Sequence, residues 1–274
     1  IYGIYYFHQN QNVASTLSQR LVLSNGQDFI DPNHFAAAMI LPITVVMGAW
    51  LQTRSMMTRV WLAMAGVVLF MGIYATGSRG GLLGAAVAVG YLVWRSGQRI
   101  QLLAILGLAA VGRSIMPTSI WSRFSNALSS HGAGREDIWR VGLEAFKHFW
   151  LFGAGLENFP IAFSRVYMNV FTPPGIGWGR AAHNLLMQVG VELGVIGLGL
   201  TLTAWVLQFS MLEAIPRSSR FYTYRLMVQA GLIGLLVAAM FLDILYRKYT
   251  WLAFIVSTLA YTAWQLSLIH ISEP

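Results

Sequence analysis

Only 10% of the 274 residues are charged, so the ionisable side chains that border apolar runs are the places to look for chemistry. Arg79 stands in Ser78-Arg79-Gly80-Gly81, where an outer loop enters an apolar run. A guanidinium stays charged and grips oxyanions through two parallel N–H bonds. Arg135, in Gly134-Arg135-Glu136-Asp137-Ile138-Trp139, borders a predicted helix start, whose free backbone N–H groups also favour anions. Arg180 precedes His183 by three residues. His183-Asn184 opens the apolar run that follows a long polar stretch. There the positive end of the helix dipole disfavours imidazolium, so the ring stays neutral and is able to act as a base. Asn184 is placed to cap that helix. Together these residue types read as anion binding beside proton abstraction, with Asp31 the next base to consider.

Each of these residues also has a purely structural reading. Arg79 suits an interfacial anchor reaching to headgroups, Arg135 a solvated loop arginine, and His183 a residue that merely starts a helix. Glu192 lies about 13 Å along its helix from His183 and on the opposite side, so the two cannot pair directly. A buried carboxylate in a span is a functional hypothesis, but for Glu192 a bundle-stabilising hydrogen bond weighs more. Arg247 follows Asp243 by four residues, the acid-first spacing of a helical ion pair, which outweighs a place in the site. His131 and His148 read as solvated.

Fifty-six per cent of the chain is hydrophobic and its mean hydropathy is +0.59, whereas a soluble domain has about 45–50% apolar and about 25% charged residues. The fold class is therefore all-α, a polytopic transmembrane bundle. Apolar runs long enough to approach a span of about 20 residues occur near 34–52, 60–76, 80–94, 100–112, 183–212, 226–246 and 249–264. The run at 100–112 is short enough to be interfacial or re-entrant, and Pro42 predicts a kink in the first span. The net charge of +8 is dispersed singly between apolar runs, which argues against a nucleic-acid patch. There is no cysteine for a disulfide or thiolate site.

Lys and Arg in short loops mark the cytoplasmic side. If the spans alternate, the arginines at 54/59, 95/99 and 217/220/225 share that side. The organisation expected is an outer-face segment 1–33, about four spans in 34–112, a long outer loop 113–182, about three spans in 183–265, and a tail 266–274. Within the loop, residues 136–150 have helical periodicity, acidic residues in the first turn, basic ones in the last, and Gly153 beyond. Ile138, Trp139, Gly142, Phe146, Phe149 and Trp150 share one face, fitting either the membrane surface or the chain's own loops. Pro160, Pro173, Pro174, Gly175, Gly177 and Gly179 predict irregular backbone beyond it. The tail resembles a translated sequencing adapter and is expected not to be native, and the start at Ile1 reads as internal to a longer gene.

The motifs stand in a fixed order: Asp31-Pro32-Asn33-His34, Ser78-Arg79-Gly80, Gly134-Arg135 with Trp139, Gly153-Ala154-Gly155, then His183-Asn184 with Glu192-Leu193-Gly194. In this order they resemble the O-antigen ligase and Wzy-type polymerase superfamily. The resemblance covers about residues 28–250, and since the family has about a dozen spans, several amino-terminal helices are expected to precede this chain. It implies a GT-C-like integral-membrane enzyme of the bacterial inner membrane, with its site on the periplasmic face. Such an enzyme moves a glycan from an undecaprenyl-pyrophosphate donor to a hydroxyl of an acceptor: lipid A-core, another glycan or a protein. It further implies no metal or cofactor, an inverting displacement, His183 as general base, Arg79, Arg135 and Arg180 on the donor pyrophosphate, and Asn184, Glu192, Asp31 and Arg247 in support. The reading from another class is a transporter or flippase, but the polar candidates gather at one membrane face and no internal repeat of the transporter kind is present.

The orientation is testable because any introduced cysteine is unique. A Ser130→Cys variant should react with an impermeant maleimide in intact spheroplasts. Labelling only after permeabilisation of the inner membrane would reverse the orientation.

Overall fold

In the computed structural model the described residues are 23–24, 29–97, 135–170 and 179–272. The expected span at 100–112, the loop segment 113–134 with His131, residues 171–178 and most of the segment 1–33 lie outside them. A two-residue antiparallel pair, β1 (Leu23–Ser24) and β2 (Phe29–Ile30), precedes the helices. These are α1 (Pro32–Ala38), α2 (Ile40–Gln52), α3 (Met56–Ala75), α4 (Arg79–Ser96), α5 (Arg135–Phe149), α6 (Phe159–Val170), α7 (Leu185–Glu213), α8 (Tyr222–Ala239) and α9 (Lys248–Ser272). Among the described residues, five segments are long and apolar enough to cross a membrane: Pro32–Gln52, Met56–Ala75, Leu185–Glu213, Tyr222–Ala239 and Lys248–Ile269. The protein is a multi-pass helical bundle. The chain divides into one unit of residues 1–113, 208–238 and 248–274, and another of 114–207 and 239–247.

In the first unit, Asp31 caps α1 by accepting from the Asn33 N–H at 2.6 Å. Pro42 has no N–H to give to the Ala38 carbonyl, and the helix is interrupted just before it, at Met39, between α1 and α2. Ser78 caps α4, its Oγ accepting from the Gly81 N–H at 3.2 Å. The glycines after Arg79 serve packing: a Cβ on Gly81 would lie 2.4 Å from the Ala36 Cβ, and one on Gly84 would lie 2.5 Å from the Gly234 carbonyl oxygen. Small residues thus let α4 approach α1 and α8 closely, the usual way helices associate where water does not drive them together.

At the arginine-bearing end of this unit, Glu213 collects Arg95 at 3.4 Å, the Gln229 amide at 3.0 Å and the Arg225 guanidinium. Arg225 also donates to the Ile215 carbonyl. The sequence reading counted Arg225 as a loop charge. Instead it lies in the first turn of α8 and is almost fully buried, which is tolerable because each guanidinium nitrogen meets an acceptor.

In the second unit, α5 and α6 pack together around Ile138, Val141, Ala145, Phe159, Phe163 and Tyr167. The acidic first turn and basic last turn of α5 are where the sequence places them. Its apolar face lies against the chain itself: Gly142 lies against Met187 of α7 and Phe146 against Gly190. Trp150, just past the helix end, is exposed. Helix α6 corrects the expected irregular backbone after Pro160. That proline occupies the second position of the helix, where a missing N–H leaves no helical bond unmade.

The longest helix, α7, is broken at Gly194 (φ 66°, ψ −169°). The turn after α5 fills the break: the Ala154 N–H donates to Val191 O at 2.8 Å, Gly155 N–H to Glu192 O at 2.9 Å, and Val195 N–H to Trp150 O at 2.7 Å. Gly153 and Gly155 both have positive φ, and a Cβ on Gly153 would lie 2.2 Å from the Glu192 carbonyl oxygen.

Gly153→Ala and Gly194→Ala should therefore each destabilise the protein by about 1–3 kcal/mol or more, from left-handed backbone strain and overpacking. Reversible unfolding in detergent measures this. Gly90, with open space around it, provides the control, and an equal effect of Gly90→Ala would contradict the assignment.

Candidate functional site

The site is built from the amino terminus of α7, the turn before α6 and the segment 240–247 between α8 and α9. Asn184 caps α7, its Oδ1 accepting from the Met187 N–H at 3.0 Å, while its Nδ2 donates to the Met240 carbonyl at 3.1 Å. His183, just before the cap, has a positive φ of 49°. This is an uncommon conformation for a residue with a Cβ. Trp139 of α5 steadies the approach, its indole N–H donating to the Ala182 carbonyl at 3.1 Å.

Asp243 faces His183, with Oδ2 3.7 Å from Nδ1. That is ion-pair range and longer than a hydrogen bond. Asp243 also accepts from the Asn184 N–H at 3.4 Å. Burial pushes its carboxyl up to about 6, against backbone N–H groups of residues 183 and 184 that draw it down. At neutral pH the carboxylate is still mostly ionised. The sequence reading had placed Asp243 and Arg247 on one helix face. However, residues 240–247 are not helical, and the group within ion-pair distance of Asp243 is the His183 ring, which carries a charge only when protonated.

Glu192 lies one turn deeper than Gln188 and does not reach His183. Its Oε1 accepts from the Phe159 N–H at 3.2 Å, the first N–H of α6, and its Oε2 accepts from the Tyr246 hydroxyl. The Tyr246 oxygen in turn accepts from the Glu157 N–H at 3.0 Å. Burial and the Glu192 carboxylate push the Tyr246 phenol up, which keeps the proton on the donor side of that bond. Glu192 thus ties α7, α6 and segment 240–247 together.

These groups open onto a cleft of about 270 Å³ whose lining includes Glu157, Gln188, Glu192, Asp243, Tyr246 and Arg247. Arg247 and Arg180 are exposed. The Arg135 guanidinium lies over the Phe241 ring at 5.6 Å, two residues from Asp243 in the chain. Arg79 belongs to the first unit, as does Asp31, which is occupied as a helix cap. Among the described residues the half-buried Arg79 side chain makes no recorded hydrogen bond or ion pair.

The family model described as O-Antigen ligase matches residues 64–202. The chain belongs to the O-antigen ligase family. No curated protein matches the chain. Family membership makes it an integral-membrane enzyme of the glycosyltransferase kind, acting in polysaccharide assembly. The matched segment carries Arg79, Arg135, Arg180, His183, Asn184 and Glu192, whereas Asp243, Tyr246 and Arg247 lie beyond it. Sequence reading of this ligase-family chain missed Asp243 as a partner of His183. A buried acid in a Met240–Arg247 segment too irregular for periodicity to place leaves no local signal. It also missed Gln188, although Asn184, Gln188 and Glu192 recur at four-residue spacing.

Glu192→Leu should lower stability by about 3 kcal/mol, since it leaves the buried Phe159 N–H without an acceptor and takes the carboxylate from the Tyr246 hydroxyl. Glu192→Gln, which keeps an acceptor, should lose about half of that or less. Unfolding midpoints that fall equally in both would show that the charge, and not the bonding, matters.

Proposed function

We propose that this ligase-family protein transfers a glycan from an undecaprenyl-pyrophosphate donor to an acceptor hydroxyl at the periplasmic face, with His183 as general base. The observation that carries the reading is His183 held against Asp243 at the helix start. A carboxylate beside Nδ1 favours the tautomer with the proton on that atom, leaving the Nε2 lone pair to accept a proton. His183 is 38% exposed at its side chain and Asp243 16%, so the ring is reachable while its partner is shielded.

Nε2 takes the hydroxyl proton as the acceptor oxygen attacks the anomeric carbon. The bond from that carbon to the pyrophosphate oxygen breaks, and its electron pair leaves with undecaprenyl pyrophosphate. One displacement inverts the anomeric centre. Arg79, Arg135 and Arg180 hold the pyrophosphate and stabilise the charge that grows on it, work that guanidinium forks perform without a metal. The supporting features are Arg79 at the start of α4, without an ion pair among the described residues, and Arg135 at the start of α5. Asn184 keeps His183 in place, and Glu192 holds the scaffold. The acceptor is lipid A-core, another glycan or a protein, and the bilayer supplies the donor laterally.

In the full-length protein, His183→Gln should reduce transfer by about 10²- to 10⁴-fold, the usual contribution of a general base, while the donor still binds. Arg79→Lys should lose most transfer although it keeps the charge, because an ammonium lacks the bidentate fork. Transfer assays with lipid-linked donor measure both. More than about a tenth of wild-type activity in His183→Gln would remove the base from this residue.

A further inference from the structure

The middle of the polar stripe on α7 has no structural task. Asn184 caps the helix and holds Met240, and Glu192 is bonded to Phe159 and Tyr246. Gln188, between them, is only 5% exposed, and its amide oxygen has no hydrogen-bond partner among the described residues. A buried amide oxygen in a membrane helix without a donor is unfavourable. Its residue lines the cleft that also contains Glu192, Asp243 and Tyr246.

We infer that Gln188 is a specificity residue whose amide oxygen accepts a hydrogen bond from a hydroxyl of a sugar ring seated in this cleft, an inference that rests on the transfer reading above. An acceptor oxygen needs a donor. The surrounding charge decides which kind: among the described residues Glu157, Glu192 and Asp243 line the cleft with one cation, Arg247, so a pyrophosphate is disfavoured and a neutral hydroxylated group is not. A volume of about 270 Å³ corresponds to about nine waters at roughly 30 Å³ each, room for one sugar ring. The ring lies beside Asp243, the partner of His183, so the sugar read by Gln188 is one adjoining the bond being made, in the donor or in the acceptor.

The test is steady-state transfer by the purified full-length protein, varying an undecaprenyl-pyrophosphate-linked glycan at saturating lipid A-core and then the reverse. Gln188→Met keeps the volume and removes the bonding, and Gln188→Asn keeps the amide but withdraws it by one methylene. Both should raise KM for one substrate by about 3- to 10-fold, the loss of one neutral hydrogen bond, with kcat changed less than about threefold. The substrate whose KM moves identifies the source of the sugar. The thermal midpoint of Gln188→Met should equal or exceed wild type, since a buried oxygen without a donor is removed. Unchanged KM for both substrates, or a lowered midpoint in both variants, overturns the assignment and makes Gln188 structural. Absence of transfer by the wild-type protein, in contrast, would count against the transfer reading itself.

Discussion

Inside a bilayer no water is present to satisfy an open backbone, so every N–H and C=O must find its partner within the protein. The break of α7 at Gly194 is where this constraint governs the second unit. It frees the Val191 and Glu192 carbonyls and the Val195 N–H, and the turn at Trp150–Gly155 supplies partners for all three. The turn can approach only because Gly153 and Gly194 have no side chain where the two backbones meet. Two short glycine motifs that look independent in the chain are therefore one joint.

That joint sets the position of everything around the cleft. It holds the end of α5 against α7, and α5 in turn presents Trp139 to the carbonyl that precedes His183. It also fixes Glu192 where its carboxylate meets the first N–H of α6 and the hydroxyl of Tyr246. Segment 240–247 is thereby held at both ends, by Asn184 at Met240 and by Glu192 at Tyr246, with Asp243 between them facing His183. The catalytic proposal concerns two side chains, but their geometry depends on a backbone junction about two to three turns of helix deeper.

Much of the fold was legible because apolar length and charge placement have simple physical causes. The five segments long enough to span were marked by their apolar runs, and the limits of α5 were marked by Glu136 and Asp137 at one end and Lys147 and His148 at the other. Helix α6 was not legible, since Pro160 reads as a breaker unless its place in the first turn is known. The break at Gly194 was also hidden, because a glycine inside an apolar run gives no sign that another loop will fill the gap. Of the candidate site, His183, Asn184, the arginines and Glu192 stood out by type and position. Asp243 did not, since its contact with His183 joins residues 60 positions apart in the chain through a segment without regular structure. Gln188 was overlooked because amides are common in helices, and only its burial without a partner distinguishes it.

The central claim is that His183 and Asp243 act as one unit on the acceptor proton. A double-mutant cycle on kcat/KM for glycan transfer tests it most directly, using His183→Ala, Asp243→Ala and both together in the full-length protein. Residues that act as a unit are strongly non-additive. The account predicts that Asp243→Ala costs little or nothing further once His183 is gone. Losses that multiply in the double variant would contradict it, showing that Asp243 contributes to transfer independently of the histidine it faces.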